Sequence, residues 1–214
     1  MPVSPLIICF GDSLTAGYQS PAPDRPQLRE TPYGVFLQER LGATAAVAVS
    51  GVCGELTGEM VERFDRDVIA RKPASVVILG GTNDLGRQAA PSDILRNLVT
   101  MYDLALTERV CPIAVTLPSI RVQGDVGTGE GRLWLEGHLQ RRHELNGMIQ
   151  RVCVEKRFPC IDLFAATEEQ GSGLLAGPYS NDGLHLSTEG YRRLADLLYQ
   201  AVFSRPEWKA GPAR

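Results

Sequence analysis

A serine and a histidine at opposite ends of this 214-residue chain are the side chains best suited to chemistry. Ser13 follows a short apolar run and the pair Gly11-Asp12, so its hydroxyl would lie at the end of a strand. Taken alone, that pattern is more typical of a helix N-cap. His185 lies three residues after Asp182, just before a helical segment. With this spacing the carboxylate can fix the imidazole tautomer while the other ring nitrogen faces outward.

Two further segments offer hydrogen-bond donors for a developing oxyanion. Asn83, in the segment 80–84 (GGTND), follows an apolar run and supplies amide hydrogens without a charge;. Residues 50–54 (SGVCG) contain two glycines, which let backbone N–H groups turn toward a ligand;. Together the segments supply a nucleophile, a base, an orienting acid and oxyanion donors, the groups that acyl transfer requires. His138 and His143 lie in a long polar-faced helical segment and are expected on the surface.

The order of apolar and amphipathic segments predicts the elements that position these residues. Five short runs, apolar on both faces, are typical of buried parallel strands: Leu6–Phe10, Ala45–Val49, Ser75–Leu79, Pro112–Thr116 and Cys160–Leu163. Amphipathic helices lie between them; the longest runs from about Arg132 to Lys156, and the last begins after Ser187;. This alternation predicts a doubly wound parallel α/β sheet. Two long connections, 20–32 and 120–131, leave the strand ends where such sheets bind ligands.

Composition excludes several classes of protein. With 43% hydrophobic residues the chain can bury a sizeable core, and we expect a single domain over residues 1–214 with its core at 6–203;. A charged fraction of 22% and a net charge of −3 argue against disorder and against electrostatic binding to nucleic acid or anionic membranes;. The basic clusters Arg141-Arg142-His143 and Lys156-Arg157 are expected to be solvated helix surface.

The cysteines and the N-terminal residues suggest an intracellular protein without a metal. None of the five cysteines forms a CxxC pair, and no Cys/His pair has zinc-ligand spacing, so we expect neither a disulfide framework nor a metal site;. Residues 1–5 lack the basic residue of a signal peptide, and no run approaches 18 apolar residues;. We therefore expect a cytoplasmic protein without an integral membrane segment, unless a leader was removed. The sequence leaves the oligomeric state open.

The four segments, taken in order, resemble the sequence blocks of the GDSL, or SGNH, hydrolase superfamily over residues 6 to about 203. FGDSLTAGY is similar to the first block, which implies that Ser13 is the nucleophile and that its N–H is one oxyanion donor. GGTND implies that Asn83 is the side-chain oxyanion donor. DGLHLSTEGY implies that Asp182 and His185 are the orienting acid and the base.

The second block matches more loosely. Gly54 takes the position of the backbone oxyanion donor, with Gly51 as the alternative, because Ser50 stands where the family usually has Asn. The resemblance also implies the fold: a flavodoxin-like three-layer α/β/α sandwich with a five-stranded parallel sheet, in agreement with the strand and helix pattern.

The resemblance implies a serine esterase that acts on small-molecule esters through an acyl-enzyme on Ser13, without a cofactor. Within that superfamily, the sequence is similar to the arylesterase, thioesterase and lysophospholipase-like branch. The chain has only six Phe and two Trp, and only two connections are long enough to form pocket walls. We therefore expect modest acyl pockets that favour short to medium acyl chains. Three alternatives remain: a carbohydrate O-acetyl esterase, a catalytically silent binding module on the same fold, and a thiol enzyme using Cys53, which lacks a dedicated base. G-x-S-x-G, P-loop and G-x-G-x-x-G motifs are missing;.

Overall fold

The computed structural model describes residues 4–23, 25–122, 129–205 and 208. Its strands are β1 (Leu6–Gly11), β2 (Tyr18–Gln19), β3 (Arg29–Glu30), β4 (Ala46–Gly51), β5 (Ser75–Leu79), β6 (Cys111–Val115) and β7 (Cys160–Ile161). Five of these strands form one parallel sheet in the order β4-β1-β5-β6-β7. The other two pair antiparallel as a short ribbon within the long connection that follows β1.

Helices cover both faces of the sheet. They are α1 (Ser13–Ala16), α2 (Tyr33–Leu41), α3 (Thr57–Asp67), α4 (Thr82–Gly86), α5 (Pro91–Thr107), α6 (Glu130–Lys156), α7 (Leu163–Thr167) and α8 (Thr188–Leu198). Short 3₁₀ turns follow at Ile69–Arg71 and Gly177–Tyr179, and α8 continues into a π-helical turn at Tyr199–Phe203. Within the described parts of the chain, no helix is both long and apolar enough to cross a membrane.

Alternate residues of the central strands point into two separate hydrophobic layers, as the period of a strand requires. Ile7 and Cys9 of β1 pack into a layer with apolar residues of α2 and α8. Ile8 and Phe10 pack on the other side, with apolar residues of α3, α5 and α6. Since every residue of β5 is buried, this strand is covered on both faces. The predicted three-layer α/β/α sandwich with a five-stranded parallel sheet is therefore confirmed.

The strand predictions differ from the structure mainly at the two edges of the sheet. β4 is an edge strand whose residues are only partly covered, and Val49 remains 37% exposed, so the expectation of two covered faces is wrong there. β7 ends at Ile161, because Asp162 caps the next helix by accepting a hydrogen bond from the N–H of Ala165 at 3.0 Å. Leu163, predicted to be in the strand, is the first residue of α7.

The sheet brings three candidate segments to one edge. Gly11 at the end of β1 lies in register with Gly51 of β4 and with Leu79 of β5. The chain continues from these positions into Ser13, the loop containing Gly54, and Asn83. Because the three strands are parallel neighbours, their carboxyl ends place these residues side by side.

Candidate active site

Ser13, His185 and Asp182 form a continuous chain of hydrogen bonds across 172 residues of sequence. His185 Nδ1 lies 2.8 Å from Asp182 Oδ2, and His185 Nε2 lies 3.1 Å from Ser13 Oγ. Because a carboxylate only accepts, Nδ1 carries the proton of the neutral ring, and this leaves Nε2 free to accept from the serine hydroxyl. Such an arrangement can supply a nucleophile, a base and an orienting acid.

Local backbone structure presents Ser13 at the end of β1. Asp12 caps α1 by accepting a hydrogen bond from the N–H of Leu14 at 2.9 Å, so Ser13 is the first residue of that helix. The helix lasts only one turn, because Gly17 closes it in the left-handed region at φ 81°;. The helix cap favoured by the bare sequence pattern therefore exists, but Asp12 provides it, and the Ser13 hydroxyl remains available to His185.

Burial shapes the chemistry of Asp12. Its side chain is fully buried, and desolvation raises its pKa to about 7, although the hydrogen bond from the N–H of Leu14 opposes that rise. One carboxyl oxygen, Oδ2, has no partner among the described residues. The protonated form of Asp12 is thus favoured by the folded state well above the pH at which a free aspartic acid ionises.

The Asp182 carboxylate receives more hydrogen bonds than the His185 ring alone provides. Its Oδ1 accepts from the backbone N–H groups of Leu184 at 2.8 Å and His185 at 2.7 Å, and Oδ2 accepts from the hydroxyl of Ser20 at 2.5 Å. Burial by itself would raise the pKa of Asp182, but the hydrogen bonds from His185, Ser20 and the two N–H groups outweigh it and hold that pKa well below its usual range;. The carboxylate therefore stays ionised beside the imidazole.

Residues near the N-terminus also hold the C-terminal part of the site. The Tyr18 ring lies against the His185 ring, with 4.5 Å between the centroids, and the Tyr191 hydroxyl donates to the Tyr18 carbonyl at 2.8 Å. The amide of Gln19 donates to the Thr188 hydroxyl at 3.0 Å. Sequence reasoning missed these contacts and the hydrogen bond from Ser20, since nothing in residues 18–20 distinguishes them from an ordinary loop.

Asn83 and Gly54, which were predicted to be oxyanion donors, line one cavity together with Asp182. The Asn83 amide donates one hydrogen to the carbonyl of Glu55 at 2.9 Å, which fixes the side chain and leaves its second amide hydrogen available;. Gly54 has φ 80°, and a Cβ added there would meet nothing within 4 Å, so space is open above this residue. The Gly54 N–H donates to none of the described residues.

Gly51, the alternative to Gly54, has a different environment. It belongs to β4, and a Cβ at this position would lie 2.2 Å from the backbone nitrogen of Ala16. The glycine is thus required where the strand packs against α1. Gly54, in contrast, borders open space beside Asn83, and this geometry favours Gly54 over Gly51 as the backbone donor.

A buried guanidinium supports the loop that carries Gly54. Arg63 of α3 donates to both carboxylate oxygens of Glu55, at 2.6 and 2.5 Å, and both side chains are more than nine-tenths buried. The same guanidinium donates to the Gly11 carbonyl at 3.0 Å and to the Ser50 hydroxyl at 2.7 Å. Ser50, which departs from the usual family residue, therefore binds the group that connects the ends of β1 and β4.

Two predictions of surface residues are wrong, one for a histidine and one within a basic cluster. His138 and Arg142 were expected on a solvated face of α6, but they are 3% and 1% exposed. Trp134, His138 and Arg142 recur every fourth residue, so they share one face of the helix, and all three line one cavity;. That spacing could have shown that the three residues share a face, but not that His138 and Arg142 are buried there. His143 is exposed as predicted, and Lys156 forms an ion pair with Asp103.

A cavity of about 540 Å³ extends from the candidate oxyanion donors. It is bordered by Gly54 and Asn83, by the backbone segment 182–184, and by Trp134, His138 and Arg142 of α6. Its size is within the range of small-molecule sites. Ser13 and His185 are not among its lining residues, so the cavity begins beside the reactive pair.

Cys53 is exposed next to Gly54, but its environment does not favour a reactive thiolate. Partial burial, with the nearby carboxyl groups of Glu30 and Asp12, raises the pKa of the Cys53 thiol. A raised thiol pKa lowers the nucleophilic fraction at neutral pH. The thiol-enzyme alternative therefore loses support relative to Ser13.

Solved structures share this architecture. A lipase/acylhydrolase from Enterococcus faecalis is 30% identical, with a TM-score of 0.72 over 94% of this chain and 96% of that one. An aryl esterase from M. smegmatis is 22% identical, with a TM-score of 0.73. A carbohydrate acetylesterase from Sinorhizobium meliloti is 18% identical, with a TM-score of 0.75. Each of these two alignments covers 94% of this chain and 99% of the other chain. No curated protein matched the sequence. A model of the GDSL-like lipase/acylhydrolase family matches residues 9–193, most of the chain, and the protein belongs to that family.

Proposed function

We propose that this protein is a serine esterase that hydrolyses carboxylic esters through an acyl-enzyme on Ser13. The observation that carries the proposal is the hydrogen-bonded chain from Ser13 through His185 to Asp182. Asn83 and Gly54 line a cavity that Asp182 also borders. Membership of the GDSL-like family supports a hydrolase of the esterase or lipase type.

The first half of the reaction forms the acyl-enzyme. Nε2 of His185 takes the proton of the Ser13 hydroxyl as its oxygen attacks the ester carbonyl, and the carbonyl oxygen becomes an oxyanion. The backbone N–H groups of Ser13 and Gly54 and the free amide hydrogen of Asn83 stabilise that charge. The tetrahedral intermediate then collapses, the C–O bond to the alcohol breaks, and His185 gives its proton to the leaving oxygen.

The second half of the reaction releases the acid. A water molecule gives a proton to Nε2 of His185 and attacks the acyl carbon, which forms a second oxyanion in the same position. When this intermediate collapses, the bond to Ser13 Oγ breaks and His185 returns the proton to the serine. Asp182 remains ionised throughout and stabilises the imidazolium that forms in each half.

A small cavity favours short to medium acyl groups. The space beside the proposed oxyanion donors measures about 540 Å³, and the buried side chains of His138 and Arg142 line it. A chain that outgrows this space must leave its end in water and gains little further burial. We therefore expect catalytic efficiency to rise with chain length at first and then to level off or fall.

Covalent labelling combined with hydrolysis of p-nitrophenyl esters tests the proposal. A fluorophosphonate probe should modify Ser13 alone, and Ser13→Ala should lose both labelling and turnover. Ser92→Ala, which changes an exposed serine of α5, is the matched control and should retain both. Labelling of Cys53, or normal turnover by folded Ser13→Ala, would contradict the proposal.

Carbohydrate O-acetyl esters are a second substrate class that one feature favours. Trp134 lies at the cavity and is 47% exposed, so its indole face could stack against a sugar ring;. Acetylated xylose and p-nitrophenyl acetate compared at equal concentration distinguish the two classes. Faster release of acetate from the sugar, with a selective loss of that advantage in Trp134→Ala, would favour the carbohydrate ester.

A further inference from the structure

One face of α6 forms the base of the cavity with charged and polar groups that the ester hydrolysis described above does not use. Trp134, His138 and Arg142 lie along this face, and the indole and imidazole rings stack with 5.1 Å between centroids. Ile120 and Val122 add apolar wall on another side. A pocket that binds only a hydrocarbon chain needs no charged group, whereas this largely apolar cavity is lined by a guanidinium.

Arg142 is buried and forms no ion pair among the described residues. Its Nη1 donates to the Pro118 carbonyl at 2.7 Å and lies 3.4 Å from the Thr82 hydroxyl, while Nη2 lies 3.1 Å from Nε2 of His138. Its Nε has no partner, and no carboxylate among the described residues forms an ion pair with it. Burial lowers the pKa of Arg142 to about 10, although the nearby carboxyl group of Asp12 opposes that fall, so the group remains charged at neutral pH. A buried charge that forms no ion pair is unfavourable, and a bound anion would relieve it.

His138 adds a second unpaired donor. Because a guanidinium only donates, Nε2 of His138 accepts from Arg142, and the proton of the neutral ring lies on Nδ1;. Burial and the nearby charge of Arg142 lower the pKa of His138 to about 4, so the ring is neutral at physiological pH. Its Nδ1 has no partner among the described residues.

The other charges at the cavity are also mostly positive. Arg87 is exposed, whereas the Arg121 guanidinium is paired with the carboxylate of Glu169 at 2.5 Å. Among the described lining residues the one carboxylate is Asp182, and it is occupied by His185. An anionic group entering this cavity would therefore meet more positive than negative charge, which strengthens its binding where water is excluded.

We propose that the cavity accepts esters whose acyl group ends in a carboxylate, which Arg142 binds at the base of the cavity. The planar guanidinium matches a carboxylate, and the apolar walls contact the methylene groups between that carboxylate and the scissile ester. The assignment rests on the proposed function, since it presupposes hydrolysis at Ser13. It defines the substrate class as half-esters of dicarboxylic acids.

Two esters of equal chain length test this assignment. The mono-p-nitrophenyl ester of adipic acid and p-nitrophenyl hexanoate each carry a six-carbon acyl group and differ in the terminal carboxylate. A charge-assisted hydrogen bond predicts that wild type prefers the adipate ester by about ten-fold or more in kcat/KM. Rates measured without enzyme and with Ser13→Ala are subtracted, because the ester can also hydrolyse spontaneously.

Variants identify the residue responsible. Arg142→Met removes the charge at similar volume and should reduce the adipate-to-hexanoate ratio to about one or below. Arg142→Lys keeps the charge but loses the fork and should retain part of the ratio, and it replaces the Met variant if that protein does not fold. Arg151→Met, which changes an exposed arginine of the same helix, is the matched control and should retain the full ratio.

The outcomes separate this inference from the proposed function. Hydrolysis of hexanoate by wild type without any preference for adipate overturns the carboxylate site and leaves the esterase intact. Absence of hydrolysis of either ester, with Ser13 unlabelled, overturns the proposed function itself. Phenyl acetate and 4-carboxyphenyl acetate form a second pair, in which a preference for the latter alone would place the anion on the alcohol side and contradict the assignment. An adipate preference that persists in folded Arg142→Met would also refute it.

Discussion

Replacing Arg63 tests whether the buried ion pair maintains the loop that carries Gly54. Arg63→Met removes both hydrogen bonds to Glu55 and the contact with the Gly11 carbonyl, and it leaves the Glu55 carboxylate, 7% exposed, without its partner. Breaking a buried pair in this way typically costs about 3–5 kcal/mol. For a chain of this size, that corresponds to a fall in Tm of roughly 6–20 °C.

Arg66→Met is the matched control for this prediction. Arg66 lies on the same helix and pairs with Asp67, but its side chain is 75% exposed, so its removal should change the Tm little;. The double variant Arg63→Met/Glu55→Gln should be more stable than Arg63→Met, because it also removes the uncompensated carboxylate. Urea unfolding followed by circular dichroism gives the free energy of unfolding for all four proteins. Equal stability of Arg63→Met and Arg66→Met would refute the reasoning.

Three further outcomes are expected. Asn83→Ala should lower kcat by about 10²–10³ with KM little changed, because the amide acts on charge that develops only in the transition state. The Tm of this variant, measured in parallel, reports the loss of the hydrogen bond to Glu55. A near-normal kcat in the folded variant would exclude the oxyanion role. The pKa of Asp12 is raised to about 7 in the folded state, so between about pH 4 and pH 7 unfolding releases a proton;. The free energy of unfolding of wild type should therefore fall relative to that of Asp12→Asn as the pH rises through this range. Urea titrations at pH 4.5 and 8 measure this, and a pH-independent difference would contradict it. Finally, kcat/KM across p-nitrophenyl acetate, butyrate, octanoate and palmitate should peak at short or medium length, whereas a steady rise to palmitate would show that the cavity does not limit the chain.

The sheet could be predicted from the sequence because its central strands are buried on both faces. The run Ser75–Leu79, apolar after its first residue, is reproduced residue for residue as β5. At the edge of the sheet, β4 leaves Val49 exposed even though its sequence is as apolar as that of a central strand. At β7, the capping bond of Asp162 ends the strand, and hydrophobicity gives no sign of that bond.

The candidate site also contains residues that the sequence could predict and contacts that it could not. Ser13, Asn83, Asp182 and His185 carry local signals, since each lies in a short motif at a turn. The partners that hold them come from distant parts of the chain, as Ser20 does for Asp182. Arg142 was misjudged because a charged residue in a helix normally faces water. Its burial depends on a cavity formed by residues from several elements, which no local pattern contains.

The contacts between the two ends of the chain affect when this protein can acquire activity during its synthesis. Ser13 leaves the ribosome 172 residues before His185, a delay of roughly 10–35 s at ordinary elongation rates;. Until α8 docks, with Thr188 and Tyr191 bonded to residues 18–19, the serine has no base. A nascent or truncated chain ending before residue 185 should therefore be inert toward esters. If the proposed mechanism holds, turnover would then report that the chain extends through α8 and that α8 has docked against residues 18–19.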